Sequence, residues 1–310
     1  MPFEGLTAED FDAFEPSKWS SNAHNLARLE AKLKLSALGK EVSQELAEAL
    51  AGREMGLSAE RPSIFNQHKV RDLTLFFFRG PEARRSLGAI LDRAKSIADN
   101  VQDPAPHHKH ISLASRLDID GLQVGLWLHR DAWIDWKNLA SRINGYGELE
   151  KLSRLLGSLP ETIRYATGEG IQPDSPPARS VEAQDVVQGL GTAEPWTLFA
   201  ELIPRGRPDL ASGQLVGRVV DVLGSLIPLE RFIAWSPEND FHDLKVVIRE
   251  HKEKVRKPME SLQRGSEVRV MKGLASGRLG IVESIEKRGL VKVRMGPVVL
   301  AVKMEDLARP

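Results

Sequence analysis

The sequence predicts an α+β protein, with a mixed N-terminal domain built on an antiparallel sheet and a small β-barrel at the C-terminus. Segments of helical and strand periodicity interleave up to about residue 240. The one clear strand pairing is a hairpin, and no strand leads into a glycine-rich phosphate-binding loop, which disfavours a parallel doubly wound sheet. We therefore divide the chain into an α+β domain at 1–240, a connecting basic helix at 241–263 and a barrel at 264–310.

The composition is that of an ordinary globular protein. Of the 310 residues, 28% are charged and 41% hydrophobic, and the mean hydropathy is −0.28. Lys+Arg and Asp+Glu both number 43, so any attraction to a polyanion must be local. The absence of cysteine excludes disulfides, Cys-ligated zinc and thiol nucleophiles. With neither a signal-like N-terminus nor a membrane-length apolar run, we expect a cytoplasmic protein without membrane contact.

The first hundred or so residues predict a strand between two helices. Residues 25–52 carry leucines near helical spacing, and Gly52 is the expected stop. Residues 69–80 contain a strand-like run with three consecutive phenylalanines, ending at Gly80-Pro81. Residues 82–101 return to a helical pattern.

A hairpin is predicted at residues 110–129. Two alternating runs flank Asp120-Gly121, a dipeptide suited to the primed turns of two-residue hairpins. Residues 130–143 then predict a helix whose two tryptophans pack onto the sheet. Asp131 is the expected N-cap of this helix.

The remainder of the first domain is less regular. Residues 168–180 are rich in Pro, Gly and Ser, which indicates an exposed loop or linker. A helical pattern then approaches Pro228, after which we expect a strand or an extended segment. Residues 241–263 form the predicted helix with a basic end.

The C-terminal tail, residues 265–310, has the alternating pattern that is typical of β-strands. Val268 and Val270 alternate with Glu267 and Arg269, so that one face is apolar and the other polar. Glycines follow where the chain must turn tightly, and three more short apolar runs come after them. Four or five short strands in about 45 residues indicate a small barrel near the lower size limit for independent stability.

The tail also resembles a known motif. The stretch GSEVRVMKGLASGRLGIV, residues 265–282, resembles a KOW motif on an SH3-like barrel, as found in NusG-type elongation factors and some large-subunit ribosomal proteins. The continuation LVKVRMGPVVLAVKMEDL is similar to the KOW segment of MutS-paralogue ATPases that carry a Smr nuclease domain. The resemblance covers about 45 of 310 residues, and no Walker A loop is present for the ATPase part. It implies a module that docks on RNA, DNA, the ribosome or RNA polymerase.

The charge of the tail agrees with a polyanion partner. Residues 265–310 contain nine basic and five acidic residues, a net charge of +4. Phosphate contacts by such residues give a salt-dependent affinity that is largely independent of sequence. The alternatives are a barrel that docks on another protein, or strand faces charged only to prevent edge pairing. The predicted nucleic-acid contacts are Arg269, Lys272, Arg278, Lys287, Arg288, Lys292 and Arg294.

The N-terminal domain resembles the uncharacterised YktB-like α+β family. The likeness rests on the order of an amphipathic helix containing ALG, the strand VRDLTLFFFR, the hairpin ISLASRLDIDGLQVGLWL and a tryptophan-bearing helix. We carry no functional residue across from this family.

An enzyme of unmarked class in the N-terminal domain is the alternative function. His107, His108 and His110 lie within four positions, and on an extended segment His108 and His110 would share a face and offer two metal ligands. Asp131 or Asp135 would supply a carboxylate; a polar loop before a strand is the competing interpretation. Motifs of serine hydrolases and zincins are missing, so we assign no catalytic residue and no cofactor.

Overall fold

The computed structural model describes residues 2–63, 66–84, 87, 106–168, 170–190, 194–243, 262–270, 275, 277–286, 290–296 and 298–308. The chain divides into two compact units, the first holding residues 1–86 and 104–242 and the second residues 87–103 and 243–310. Each unit contains its own antiparallel sheet, which confirms the predicted α+β class. Among the described residues, no helix is long and apolar enough to cross a membrane.

The first unit is built on a six-stranded antiparallel sheet. Its strand order is β1-β2-β3-β4-β6-β5, so the predicted antiparallel arrangement is confirmed. The strands of this sheet are β1 (Arg53–Leu57), β2 (Leu73–Arg79), β3 (Ser112–Leu117), β4 (Gly121–His129), β5 (Arg164–Thr167) and β6 (Trp196–Pro204).

Helices pack against one face of this sheet. In the region predicted as a helix at 82–101, the structure describes a helical segment at residues 81–84, and nearly all the residues that follow lie outside the described ones. The other helices are α1 (Ala8–Asp12), α2 (Asn25–Glu45), α3 (Trp133–Arg142), α4 (Glu148–Gly157), α5 (Ala183–Gly189) and α6 (Gln214–Ile233).

The two faces of the sheet carry separate cores because side chains alternate along each strand. On β4, Leu122, Val124, Leu126 and Leu128 join the large core that also includes the helices. Trp127 points to the opposite face and belongs to a second, smaller core. The members of the smaller core are Phe76, Phe78, Ala114, Trp127, Ile171, Leu198 and Ala200.

The first leucines of helix α2 do not lie on its buried face. Leu26 and Leu33 are 67% and 63% exposed, whereas Leu35 is fully buried. The helix also ends at Glu45, seven residues before the expected stop at Gly52. Gly39 lets this face approach the sheet closely, since a Cβ there would lie 2.7 Å from Met55 Sδ. The buried positions of α2 are Arg28, Ala31, Leu35, Leu38, Gly39 and Val42.

Helix α6 continues through Pro228, so the strand or extended segment expected after this proline is wrong. A proline inside a helix costs about 3 kcal/mol. Leu229, Phe232 and Ile233 follow it and are all at least nine-tenths buried. Burying each such side chain contributes about 1.5–3 kcal/mol, which outweighs the cost of the proline.

The predicted hairpin forms, but with a different turn. Asp118 N–H donates to Gly121 O at 3.1 Å and closes the connection around Ile119 and Asp120. Gly121 has a φ of +154°, whereas Ile119 and Asp120 are not among the residues with positive φ. Primed turns need positive φ at a central residue, so the predicted turn type is wrong. The Asp118 carboxylate accepts the Asp120 N–H at 2.9 Å instead.

The segment predicted as an exposed loop or linker is irregular but packs against the unit. Ile171 is 2% exposed and Ala178 is fully buried. Tyr165 N–H of β5 donates to Pro176 O at 2.9 Å, and Ala178 N–H donates to Ile163 O at 2.8 Å. These bonds join the segment to the edge of the sheet.

The second unit contains a five-stranded antiparallel sheet in the order β10-β9-β8-β7-β11. The described pairings leave β10 and β11 unjoined, so the closed barrel that we expected is not formed by these residues. The final strand has only two residues, and both pair with β7. The predicted helix 241–263 lies outside the described residues apart from 241–243 and 262–263. The strands are β7 (Glu267–Val270), β8 (Leu279–Ile285), β9 (Leu290–Met295), β10 (Val298–Lys303) and β11 (Leu307–Ala308).

Candidate functional site

The sheet of the second unit has a buried valine face and an outer face that carries charged side chains of both signs. Val268 and Val270 of β7 and Val291 and Val293 of β9 are at most 1% exposed. The residues that alternate with them point the other way. Three predicted contact residues therefore share the outer face, namely Arg269, Lys292 and Arg294, and Glu267 lies on the same face.

Aliphatic side chains lie between these cations. Arg294 of β9 has a cross-strand partner on each side, Ile281 of β8 and Val299 of β10. Leu279 lies opposite Arg269. Leu279, Ile281 and Val299 are 54%, 48% and 42% exposed. The outer face thus combines guanidinium and ammonium groups with solvent-exposed aliphatic surface.

Two of the three cations are held by carboxylates at the surface. Lys292 Nζ lies 2.8 Å from Glu286 Oε1, and Arg294 pairs with Glu283. Glu286 raises the pKa of Lys292 by hydrogen bonding, so the ammonium stays charged at neutral pH. Exposed pairs of this kind contribute little to stability, so a phosphate group can displace the carboxylate at little cost. Arg269 makes no ion pair with any described residue.

Of the four other predicted contact residues, the structure describes only Arg278. Arg278 is exposed immediately before β8. Lys272, Lys287 and Arg288 lie outside the described residues, so their position relative to the outer face stays a prediction.

The histidine cluster of the first unit is not extended. Pro106–Lys109 forms a 3₁₀ turn, so the interpretation of an extended segment with two histidines on one face is wrong. His107 stacks on Phe76, with ring centroids 3.7 Å apart. His110 turns to the end of β2, where its Nδ1 lies 2.7 Å from Arg79 Nη1. The prolines before this segment favour such a turn over a strand.

The ring of His108 packs instead against the ring of His129, a contact that no sequence pattern predicted. Their rings stack with centroids 4.4 Å apart. Trp196 lies edge-on to both histidines, at 5.0 Å and 4.6 Å. His129 and Trp196 are cross-strand partners on β4 and β6, which explains the contact.

This packing gives the metal alternative no geometric support. Within the described ranges, no group of three or more His, Asp or Glu side chains could hold a metal ion. The rings of His107 and His108 meet edge-on at 4.6 Å, but His110 turns away to Arg79, and the nearest carboxylates have other partners. Asp131 lies 3.4 Å from His129 Nδ1, and Asp135 is part of a buried network.

Asp135 connects three segments of the first unit. Its carboxylate accepts N–H groups from Ile111 and Trp235, both at 2.9 Å. Arg79 Nη2 donates to the same carboxylate at 2.8 Å. The side chain of Asp135 is completely buried, so it is a structural ion rather than an acid–base group open to solvent. The N-cap prediction for Asp131 is wrong, because Ala132 occupies that position.

His110 is held neutral beside this ion pair. Burial, with the positive charge of Arg79 as a further cause, lowers the pKa of His110 to about 3. Since Arg79 Nη1 can only donate, the neutral ring accepts this hydrogen bond through Nδ1.

We expect His110 to make the protein less stable as the pH falls. Its pKa is lower in the folded state than its ordinary value of 6.5, so the unfolded state takes up the proton first between pH 6.5 and about 3. Linkage predicts a loss of about 2 kcal/mol between pH 7 and pH 5. Urea unfolding at these two pH values measures it, with His110→Asn as the variant that keeps an acceptor but does not titrate. An equal pH dependence in both proteins would contradict the prediction.

A pair of arginines stands at the edge of the sheet. Arg53 of β1 and Arg79 of β2 are directly opposite each other. Like charges in this position destabilise a sheet unless they are compensated. Asp135 compensates Arg79, and Glu230 of α6 binds Arg53 through both carboxylate oxygens at 2.6 Å. Sequence reasoning missed this site, since Glu230 lies 177 residues after Arg53 and no motif connects them.

The fold defines an α+β protein with two antiparallel sheets, one in each unit. No family model matches the chain, and no curated protein matches it either.

Proposed function

We propose that the protein binds nucleic acid through the outer face of its C-terminal sheet. The observation that carries this proposal is the alternation on β7 and β9, which buries the valines and directs Arg269, Lys292 and Arg294 to one side. Guanidinium and ammonium groups on β7 and β9, the two strands that flank β8, can contact successive charges of a phosphate backbone.

The composition of the face supports contact with the backbone rather than with bases. Residues 265–310 contain no Trp, Tyr or Phe, so base stacking is not available to this part of the chain. The exposed side chains of Leu279 and Ile281 offer apolar contact beside the cations. We expect binding that depends strongly on salt and weakly on sequence.

The resemblance of residues 265–282 to a KOW motif supports a particular setting for this binding. Proteins with this motif dock on ribosomal RNA or on transcription complexes. We propose that the partner is RNA or DNA within the ribosome or a transcribing RNA polymerase, in the cytoplasm.

The test is the salt dependence of binding to single-stranded RNA and to duplex DNA. Removing three phosphate contacts should make the slope of log K against log [salt] shallower by about 2–3. The variant is Arg269→Ala, Lys292→Ala and Arg294→Ala together, measured by fluorescence anisotropy across a salt series.

A matched triple variant controls for the loss of charge. Lys40→Ala, Lys69→Ala and Arg154→Ala remove three exposed cations from the first unit and should leave the slope unchanged. Equal slopes for wild type and the β7/β9 variant, or equal losses in the two triple variants, would overturn the proposal.

A further inference from the structure

A cavity opens beside the arginine pair of the first unit. It has a volume of about 410 Å³, within the roughly 300–1,000 Å³ that small-molecule sites occupy. Its wall is formed by the start of β1, the end of β2 and the end of α6 with the residues that follow. The polar and aromatic lining residues are Arg53, Arg79, Glu230, Arg231, Trp235 and Ser236.

The cavity is positively charged. Three arginines and one glutamate line it. Arg53 and Arg79 are only 14% and 11% exposed, and Glu230 and Asp135 hold them in place. Guanidinium groups fixed in this way are pre-organised to bind an oxyanion, since each has five N–H donors and the carboxylates use only some of them.

Two further groups at the cavity lack partners. Arg231 is exposed at the end of α6 and makes no ion pair with any described residue. Trp235 is 4% exposed, and its indole N–H has no hydrogen-bond partner among the described residues. A buried N–H without an acceptor costs about 1–3 kcal/mol, so a shift of the Trp235 ring that let a ligand oxygen reach this group would be favourable.

We propose that this cavity binds the phosphate group of a small phosphomonoester. With Asp135 counted, three guanidinium groups stand against two carboxylates, which leaves one positive charge in excess, and phosphate oxygens accept the forked N–H donors of arginine. Phosphate alone would leave much of the cavity empty, so the organic part of the ester lies against Trp235. This site is separate from the nucleic-acid surface proposed for the second unit, and either can fail without the other.

The test is thermal stabilisation of the full chain by inorganic phosphate and by phenyl phosphate, since a ligand that binds only the folded state raises Tm. We expect both to raise Tm, with phenyl phosphate binding more tightly. Arg231→Gln should weaken binding at least about tenfold, because it removes a charged donor. Trp235→Phe should weaken it by about fivefold, since it keeps the ring and removes the N–H.

The controls separate this site from general ionic effects and from the outer face. Sodium chloride at matched ionic strength should give no comparable shift, and the Arg269/Lys292/Arg294 triple variant should respond like wild type. The proposal is overturned if neither phosphate raises Tm at roughly 10 mM. It is equally overturned if Arg231→Gln responds like wild type, or if phenyl phosphate binds no better than phosphate.

Discussion

Replacing Asp135 by alanine is expected to lower the free energy of unfolding by about 3–5 kcal/mol. The substitution leaves the Arg79 guanidinium buried without its carboxylate and removes the acceptor of the Ile111 and Trp235 N–H groups. Urea denaturation followed by circular dichroism measures the change. The loss is large because both a buried charge and buried donors are left unpaired at once.

The control for this variant is Asp131→Ala, four residues earlier in the chain. The Asp131 side chain is 61% exposed, so its removal should change the stability by less than about 1 kcal/mol. Asp135→Asn is a milder second variant, which keeps one oxygen acceptor and should still fold. A loss below about 1 kcal/mol for Asp135→Asn and Asp135→Ala alike would show that the network does not join these segments.

Leu35→Ala is expected to destabilise the protein by about 2–5 kcal/mol, the range for a buried leucine replaced by alanine. Leu33→Ala, two residues away on the opposite side of the same helix, should change the stability by no more than about 0.5 kcal/mol. Leu35 is fully buried, whereas Leu33 is 63% exposed. The helix propensity of both substitutions is the same, so their difference measures packing alone.

Thermal and urea unfolding of both variants check this prediction. If Leu33→Ala were the more damaging substitution, α2 would bury its other leucine face, and the packing of Gly39 against Met55 would be wrong.

Local sequence patterns predicted some of these elements and not others. Strand β2 and the hairpin of β3 and β4 were predicted because their alternation is local and visible in a few residues. The outer face was predicted from the same period in the tail, and the described residues confirm the alternation. The choice between the two leucine faces of α2 was not predictable, since both have helical spacing. The helix through Pro228 was missed because only the buried residues beyond the proline outweigh its cost.

For the candidate sites as well, the residues were predicted from the sequence but some of their contacts were not. Arg269, Lys292 and Arg294 were named from the sequence as basic residues of the tail, and the strand period of two explains why the structure places them on one face. The histidines were named as well, but their partners were not. Stacking of His108 on His129 and the bond from Arg79 to His110 depend on how distant segments meet.

The sequence by itself therefore determined the α+β class, the antiparallel hairpin and the cationic alternation of the tail, since each depends on residues that are neighbours in the chain. Only the tertiary structure decided that Arg53 and Arg79 face each other and that Glu230 and Asp135 neutralise them. The energy of an ion pair depends on the distance between its charges, and chain separation does not set that distance.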